Sequence, residues 1–384
     1  MSGEPVNTRI DAIQVLRALA ALLVVITHAI NAYDFRPDLP QPIMGQVGYF
    51  NTFGAIGVDI FFVVSGFVMA YTVANRPQLT GAEFLKMRLV RVVPPYWLAT
   101  LATLPLALLW FGYLDGPRVL SGFTVFPPMA APDFVLPILH VGWSLAFELA
   151  FYCVVAAVMF VVGRPQQRVV AAIIAASAFA AMGIFYQPAS AAAAIFINAI
   201  WLEFVFGMLV YVAWSRLAGG PVVAALCLGV GIAALAKAAL LGSGFLDAPW
   251  TLFSPEAPDQ TLDRNGLLRA LRWGLPSTVM VLGLLWFTRA KAGQWLTRTR
   301  PWAGLHKLGD ASYSLYLVHP FVMSSWQYFA PRNTLQADLM IAALTAFSIV
   351  LSLVVHRRIE VPLLAASRAA LSRRGSASRN MAAA

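Results

Sequence analysis

Charge is what this 384-residue chain has least of: Asp, Glu, Lys and Arg make up 11% of it, against 60% hydrophobic residues. With a mean hydropathy of +0.73, a water-facing surface cannot be built from it. Cysteine is scarcer still. Cys153 and Cys227 both fall inside apolar runs, where no oxidising loop can pair them, so a disulfide framework is excluded and the two read as small apolar fillers. No segment outside the apolar runs is long enough to bury a core of its own, which excludes a second, soluble domain. No internal repeat is visible, which counts against a transporter built from duplicated halves. Acids are few as well, 17 against 27 Lys and Arg, for a net charge of +10. The basic residues are nevertheless spread through connecting loops, with no soluble basic module to bind nucleic acid.

What is present is a series of apolar runs, each about 17–25 residues long. They fall at 11–33, 54–75, 95–113, 139–162, 169–186, 190–214, 221–241, 267–288, 311–329 and 338–355. The expected fold is an all-α polytopic integral membrane protein with about ten transmembrane helices: a membrane domain over residues 1–362 and a basic, Ser-rich, disordered tail over 363–384. The tail is placed to lean on anionic membrane lipid. Even parity puts both termini on one side. Connections on that side hold Arg76, Lys86, Arg88, Arg91, Arg164, Arg168, Arg289 and Lys291, whereas the opposite connections hold mainly acids such as Asp34, Asp115, Asp133 and Glu256. Lys and Arg accumulate on the cytoplasmic side, so both termini are expected there. The first run has no small-x-small cleavage site before its polar loop and reads as an uncleaved signal anchor. The turn between the fifth and sixth runs is marked only by Gln187 and Pro188, and the connections 34–53 and 242–266 are rich in Pro, Asp and Gly.

Several of these runs carry polar groups that lipid would not tolerate without a task or a partner. In the first, Arg17 and His28 are eleven residues apart, so on a helix they share a face to within about 20° and stand ~16 Å apart along the axis. A guanidinium near one surface is thereby aligned with a deep imidazole. The alternative is that Arg17 snorkels to headgroups and His28 satisfies a neighbouring helix. In the second run Asp59 lies at the His28 end, where its carboxylate would orient the imidazole or, alternatively, cap its own helix. Ser65 and Gly66 are small enough for close helix contact or ligand approach.

Lys86, Arg88 and Arg91 precede a Pro94-Pro95 break expected to start the third span. Arg88 and Arg91 are three apart on a short interfacial helix and form a fork for phosphate oxygens, of a ligand or of lipid. His140, Ser144 and Glu148 follow at spacings of four, a polar stripe on one side of the fourth helix. Desolvation there suits Glu148 to handling a proton or binding a hydroxyl, or to bonding a neighbouring helix. Asn198 and Glu203 lie on different faces and read as interhelical glue. In the ninth run Ser312, Tyr316 and His319 fall within about 60° of one another, and Pro320 frees a carbonyl that can hold the His319 ring.

The stretches RALAALLVVITH (Arg17 to His28), GVDIFFVVSGF (Gly57 to Phe67), KMRLVRVVPPYW (Lys86 to Trp97), WSLAFE (Trp143 to Glu148) and SYSLYLVHP (Ser312 to Pro320) together resemble the membrane-bound acyltransferase-3 family. They cover nearly the whole chain in the family's order. The chain looks most like the short members that acetylate bacterial exopolysaccharide, without the C-terminal hydrolase-like domain of some relatives. The resemblance implies an O-acyltransferase of the bacterial inner membrane that moves an acyl group, acetyl foremost, from acyl-CoA to a saccharide or glycolipid hydroxyl without a metal. It implies His28 and Glu148 as catalytic, Arg17, Arg88 and Arg91 as coenzyme contacts, and Asp59, Ser65, Trp143, Ser144, Tyr313, Tyr316 and His319 as substrate-binding or supporting. His28 would act as general base on the acceptor or as an acylated nucleophile. A rival class is a proton-coupled exporter of a glycolipid or small molecule, in which the same His and Glu relay protons. The arginine cluster, which an exporter does not need, favours the enzyme.

Overall fold

A backbone in lipid must satisfy its own N–H and C=O groups, so long apolar runs close into helices. The computed structural model describes residues 10–35, 37–47, 53–124, 136–186, 191–241, 262–325 and 329–370. Its principal helices are α1 (Asp11–Asn31), α2 (Ile56–Asn75), α3 (Gly81–Phe111), α4 (Gly142–Val161), α5 (Pro165–Phe185), α6 (Trp201–Arg216), α7 (Pro221–Leu241), α8 (Leu275–Arg289), α9 (Arg300–Asp310), α10 (Ser312–Ser324) and α11 (Thr334–Val355). Among the described residues, nine helical stretches are long and apolar enough to cross a membrane. The chain is a multi-pass, all-helical membrane protein.

Four expectations meet a different backbone. The ninth run forms α10, 13 residues or ~20 Å, short of the ~30 Å hydrocarbon core. It packs inside the bundle, with Ser312, Leu315 and His319 fully buried. The basic segment before the proline pair is no separate interfacial helix. Gly81–Phe111 is one helix that contains Pro94, Pro95 and Pro105, started by a capping box between Thr80 and Glu83. A membrane helix tolerates such prolines where it packs against neighbours, and close to the pair the Tyr313 hydroxyl donates to the Val92 carbonyl at 2.6 Å. The last helix does not stop at the expected tail: Thr334–Ala370 is a single 37-residue helical stretch, ~55 Å long. Residues 363–370 are thus helical, while 371–384, the 187–190 turn, residues 36 and 48–52 of the first connection, most of the 242–266 connection, and Asp133 and Glu256 lie outside the described residues. Finally, the helix break at Asn198 and the π-helical turns at Ala270–Gly274 and His356–Glu360 have no counterpart in the apolar pattern.

Helices α1, α2, α4 and α6 form the centre. Their apolar windows are 61–72% buried, against 22% for α7 and α11, whose Val222, Leu226, Phe347 and Val350 face outward. The close approach of α2 and α6 rests on glycine at both contacts. A Cβ at Gly66 would collide with the Phe204 carbonyl, and one at Gly207 with the Val63 carbonyl.

Candidate active site

Helices α1, α2, α3, α4 and α10, with the 356–368 continuation of the last helix, line a cavity of about 640 Å³. Arg17, Arg88 and Arg91 all line it, as do Ser65, Ser144, Glu148, Tyr313 and Tyr316. Arg88 is held in place: its Nη2 donates to Thr72 Oγ1 at 2.8 Å, and its guanidinium stands 5.4 Å and 5.8 Å from the Phe84 and Tyr152 ring centroids. Arg17 and Arg91 hydrogen-bond to no protein group among the described residues. The cavity therefore presents guanidiniums with their N–H groups free for an anion.

Glu148 sits further in on the same wall. Its Oε1 accepts from Ser65 Oγ at 2.8 Å and from the Tyr152 hydroxyl in a short bond. No protein donor reaches Oε2 among the described residues, so one carboxylate oxygen is left for a proton or a ligand. Tyr152 continues the stripe of His140, Ser144 and Glu148 at the same spacing of four, a signal in the sequence that went unused.

The inner end of the cavity is closed by Tyr316 and Ser144, whose hydroxyls are 2.7 Å apart, with Tyr316 donating to the Val141 carbonyl at 2.9 Å. Behind Tyr316 lies a cluster of three imidazoles. The Tyr316 and His319 ring centroids are 6.0 Å apart, His319 and His28 stack at 5.0 Å, and His140 meets His28 edge-on at 5.4 Å. His28 is therefore one tyrosine layer beyond the cavity wall rather than on it, and it keeps partly accessible surface of its own.

The hydrogen bonds fix the tautomers of this cluster. His319 Nδ1 is 3.1 Å from the Leu315 carbonyl oxygen, which can only accept, so Nδ1 carries the hydrogen. In a neutral His319 the other nitrogen, Nε2, is then an acceptor. It lies 2.9 Å from His28 Nδ1, which must donate. That leaves His28 Nε2 with a free lone pair, the form a general base requires.

Asp59 is elsewhere. Both its oxygens are taken by Arg269, Nε to Oδ1 at 2.9 Å and Nη2 to Oδ2 at 2.8 Å, so it does not orient His28. The opposite charge wins because both groups are buried, with side chains 1% and 0% exposed, and an unpaired ion there is far costlier than an unoriented imidazole. Arg269 enters the bundle at the π-helical turn Ala270–Gly274, between Trp143 and Trp273 at 6.0 Å and 5.2 Å. Glu203 is buried beside the pair and is linked to Asp59 on α2, in keeping with a role between helices. Nothing in the hydropathy of the 267–288 run indicated that Arg269 points inward.

The arrangement can hold an anion at one end, with a carboxylate midway and an imidazole beyond a tyrosine partition. The acyltransferase domain of the acyltransferase-3 family matches residues 10–357. The chain is 30% identical to the exopolysaccharide production protein ExoZ of Rhizobium meliloti over 84% of this chain and 94% of that one. It is 26% identical to the acyltransferase MdmB of Streptomyces mycarofaciens over 94% and 93% of the two chains. A multi-pass helical bundle matched along nearly its whole length, this chain belongs to the acyltransferase-3 family of membrane acyltransferases.

Proposed function

We propose that this acyltransferase moves an acyl group, acetyl foremost, from acyl-CoA to a hydroxyl of a cell-surface saccharide or lipid-linked glycan at the bacterial inner membrane. The Lys and Arg bias of the connections directs the end of the bundle that bears Arg76, Arg88 and Arg91 to the cytoplasm. The observation that carries the reading is the cavity itself. Arg17 and Arg91, which hydrogen-bond to no protein group among the described residues, line a space that ends at Tyr316, and Tyr316 packs against the His319 that holds His28. The similarity to ExoZ, an exopolysaccharide production protein, supports a saccharide as acceptor.

In this mechanism the arginines bind the coenzyme phosphates and the pantetheine arm runs inward past Glu148. The Tyr316–Ser144 pair swings aside to admit the thioester. The acceptor hydroxyl gives its proton to His28 Nε2 while its oxygen attacks the thioester carbonyl carbon. The C–S bond then breaks and the thiolate takes the proton back from the imidazolium, leaving an ester and free coenzyme thiol. His319 contributes by keeping His28 Nδ1 protonated and accepting its hydrogen bond, and its contact to Leu315 anchors both rings. Glu148, with one free oxygen, orients the incoming arm.

Purified protein in vesicles, supplied with labelled acetyl-CoA and extracted cell-surface glycan, is the test. Label transferred to the glycan by the wild type and lost with His28→Ala supports the reading. Transfer undiminished in that variant overturns it. Label trapped on the protein itself replaces direct attack by an acyl-enzyme route.

A further inference from the structure

The last helix does more than cross the bundle. Near its start the Ala337 carbonyl accepts from the Tyr33 hydroxyl, which places that end beside the His28 end of α1. From there the helix descends away from the imidazoles, and after the π-helical turn His356–Glu360 it continues unbroken to Ala370. His356, Glu360, Leu364 and Arg368 recur every four residues along the side that lines the cavity. This continuation is fastened to the bundle: Glu360 Oε2 accepts from Ser314 Oγ at 2.5 Å and lies 2.8 Å from His356 Nδ1. Glu360 and Ser314 are only 5% and 3% exposed, so the wall is built in and not laid over the opening. The matched family domain ends at residue 357, and Arg368 stands beyond it.

The guanidiniums around the cavity therefore fall at two levels. Arg91, Glu148 and Glu360 all lie within electrostatic reach of Arg17, and Arg91 within reach of Arg88, which makes these an inner group. Arg368 is eight residues past Glu360, ~12 Å further from the imidazoles along the helix. It lines the same cavity, is exposed, and hydrogen-bonds to no protein group among the described residues. The carboxylates on the cavity are engaged elsewhere. Glu148 accepts from Ser65 and Tyr152, Glu360 from Ser314, and Asp310 Oδ2 lies 3.8 Å from His306 Nδ1. A guanidinium fork left open at the mouth of an anion-binding cavity is suited to a second phosphate.

We infer that Arg368, carried on the helical continuation that Glu360 and Ser314 fasten, binds the ribose 3′-phosphate of the donor, while the inner arginines hold its diphosphate. This deepens the proposed function and rests on its assignment of the cavity to acyl-CoA. In coenzyme A one sugar ring holds the two anions apart, and the thioester lies on the far side of the diphosphate. A donor that enters thioester first brings its diphosphate to the inner group and leaves the monophosphate nearest the mouth, where Arg368 stands. The subsite makes the enzyme discriminate against donors that lack the monophosphate, which the inner arginines alone would not do.

The test compares binding of CoA and 3′-dephospho-CoA to the purified full-length protein in phosphatidylcholine vesicles, which offer no anionic lipid. The wild type is expected to bind CoA about threefold to tenfold more tightly, a ratio that added salt narrows and Arg368→Gln brings close to one. Arg91→Gln is expected to weaken both ligands by a similar factor and leave the ratio intact. Equal affinity of the wild type for both ligands, a comparison that needs no variant to fold, overturns the subsite and leaves the transfer reading standing. A ratio unchanged in Arg368→Gln does the same. An effect of Arg368→Gln that appears only once phosphatidylglycerol is added makes a lipid headgroup the partner of Arg368 and also overturns the subsite. No measurable affinity for either ligand overturns the transfer reading and the subsite with it.

Discussion

A carbonyl oxygen has no hydrogen to offer, and in this protein that one fact propagates from Leu315 through His319 to the free lone pair of His28. Removing His319 leaves His28 in place and frees its ring to take the wrong tautomer. His319→Ala is therefore expected to lower kcat by about 10²–10⁴-fold while leaving KM for the donor near that of the wild type. His319→Gln, whose carbonyl can accept from His28 Nδ1, should recover part of the loss in the same steady-state assay. A purely structural role would lower active protein without splitting the two constants. Tyr316 makes a different prediction, because it closes the cavity and packs against the imidazoles. Tyr316→Ala should open a path for water and raise uncoupled thioester hydrolysis, measured as thiol release without acceptor, whereas Tyr316→Phe should keep the partition. That Arg17 and His28 lie on one continuous helix was legible from the apolar run that contains both. The partners of His28 and Asp59 were not, because which side chain meets another across helices depends on rotations that apolar patterns leave open.

Among the helices, α2 gathers much of the structure. Through Gly66 it touches α6, through Ser65 it holds Glu148, and through Asp59 it binds Arg269 at the π-helical turn before α8. Breaking a buried ion pair on one side strands the other charge, so Asp59→Ala should cost about 3–5 kcal/mol and be read as a lower unfolding temperature in detergent. Glu203→Gln should be tolerated, since one guanidinium balances one carboxylate and Glu203 is the surplus acid beside it. Gly207→Leu should cost about 1–3 kcal/mol or more by forcing α6 off the Val63 carbonyl. Nearly every membrane helix was readable from its apolar run, yet the proline pair in α3 misled. Proline penalties weighed in water overstate the break inside a packed membrane bundle, where the helix runs on through Pro94, Pro95 and Pro105. The π-helical turns carry Arg269, His356 and Glu360 inward, and no hydropathy signal marks them.

Across the whole molecule, Arg17 in the cavity wall and the partly accessible His28 stand ~16 Å apart along α1 by helix rise. On the proposed mechanism that separation gives the donor one face and the acceptor the other. In oriented vesicles acetyl-CoA should be used only from the face bearing Arg17, with added salt weakening donor use as phosphate contacts are screened. The sharpest single measurement separates holding the donor from reacting it, by single-turnover transfer from labelled acetyl-CoA at rising donor concentration with wild type, Arg91→Gln and His28→Ala. The account predicts that Arg91→Gln shifts the half-saturating concentration several-fold upward and keeps the rate at saturation, while His28→Ala keeps the half-saturation and loses the rate at least a hundredfold. If both variants instead change the same quantity, or His28→Ala reacts as fast as the wild type, the two ends of the cavity do not serve one donor.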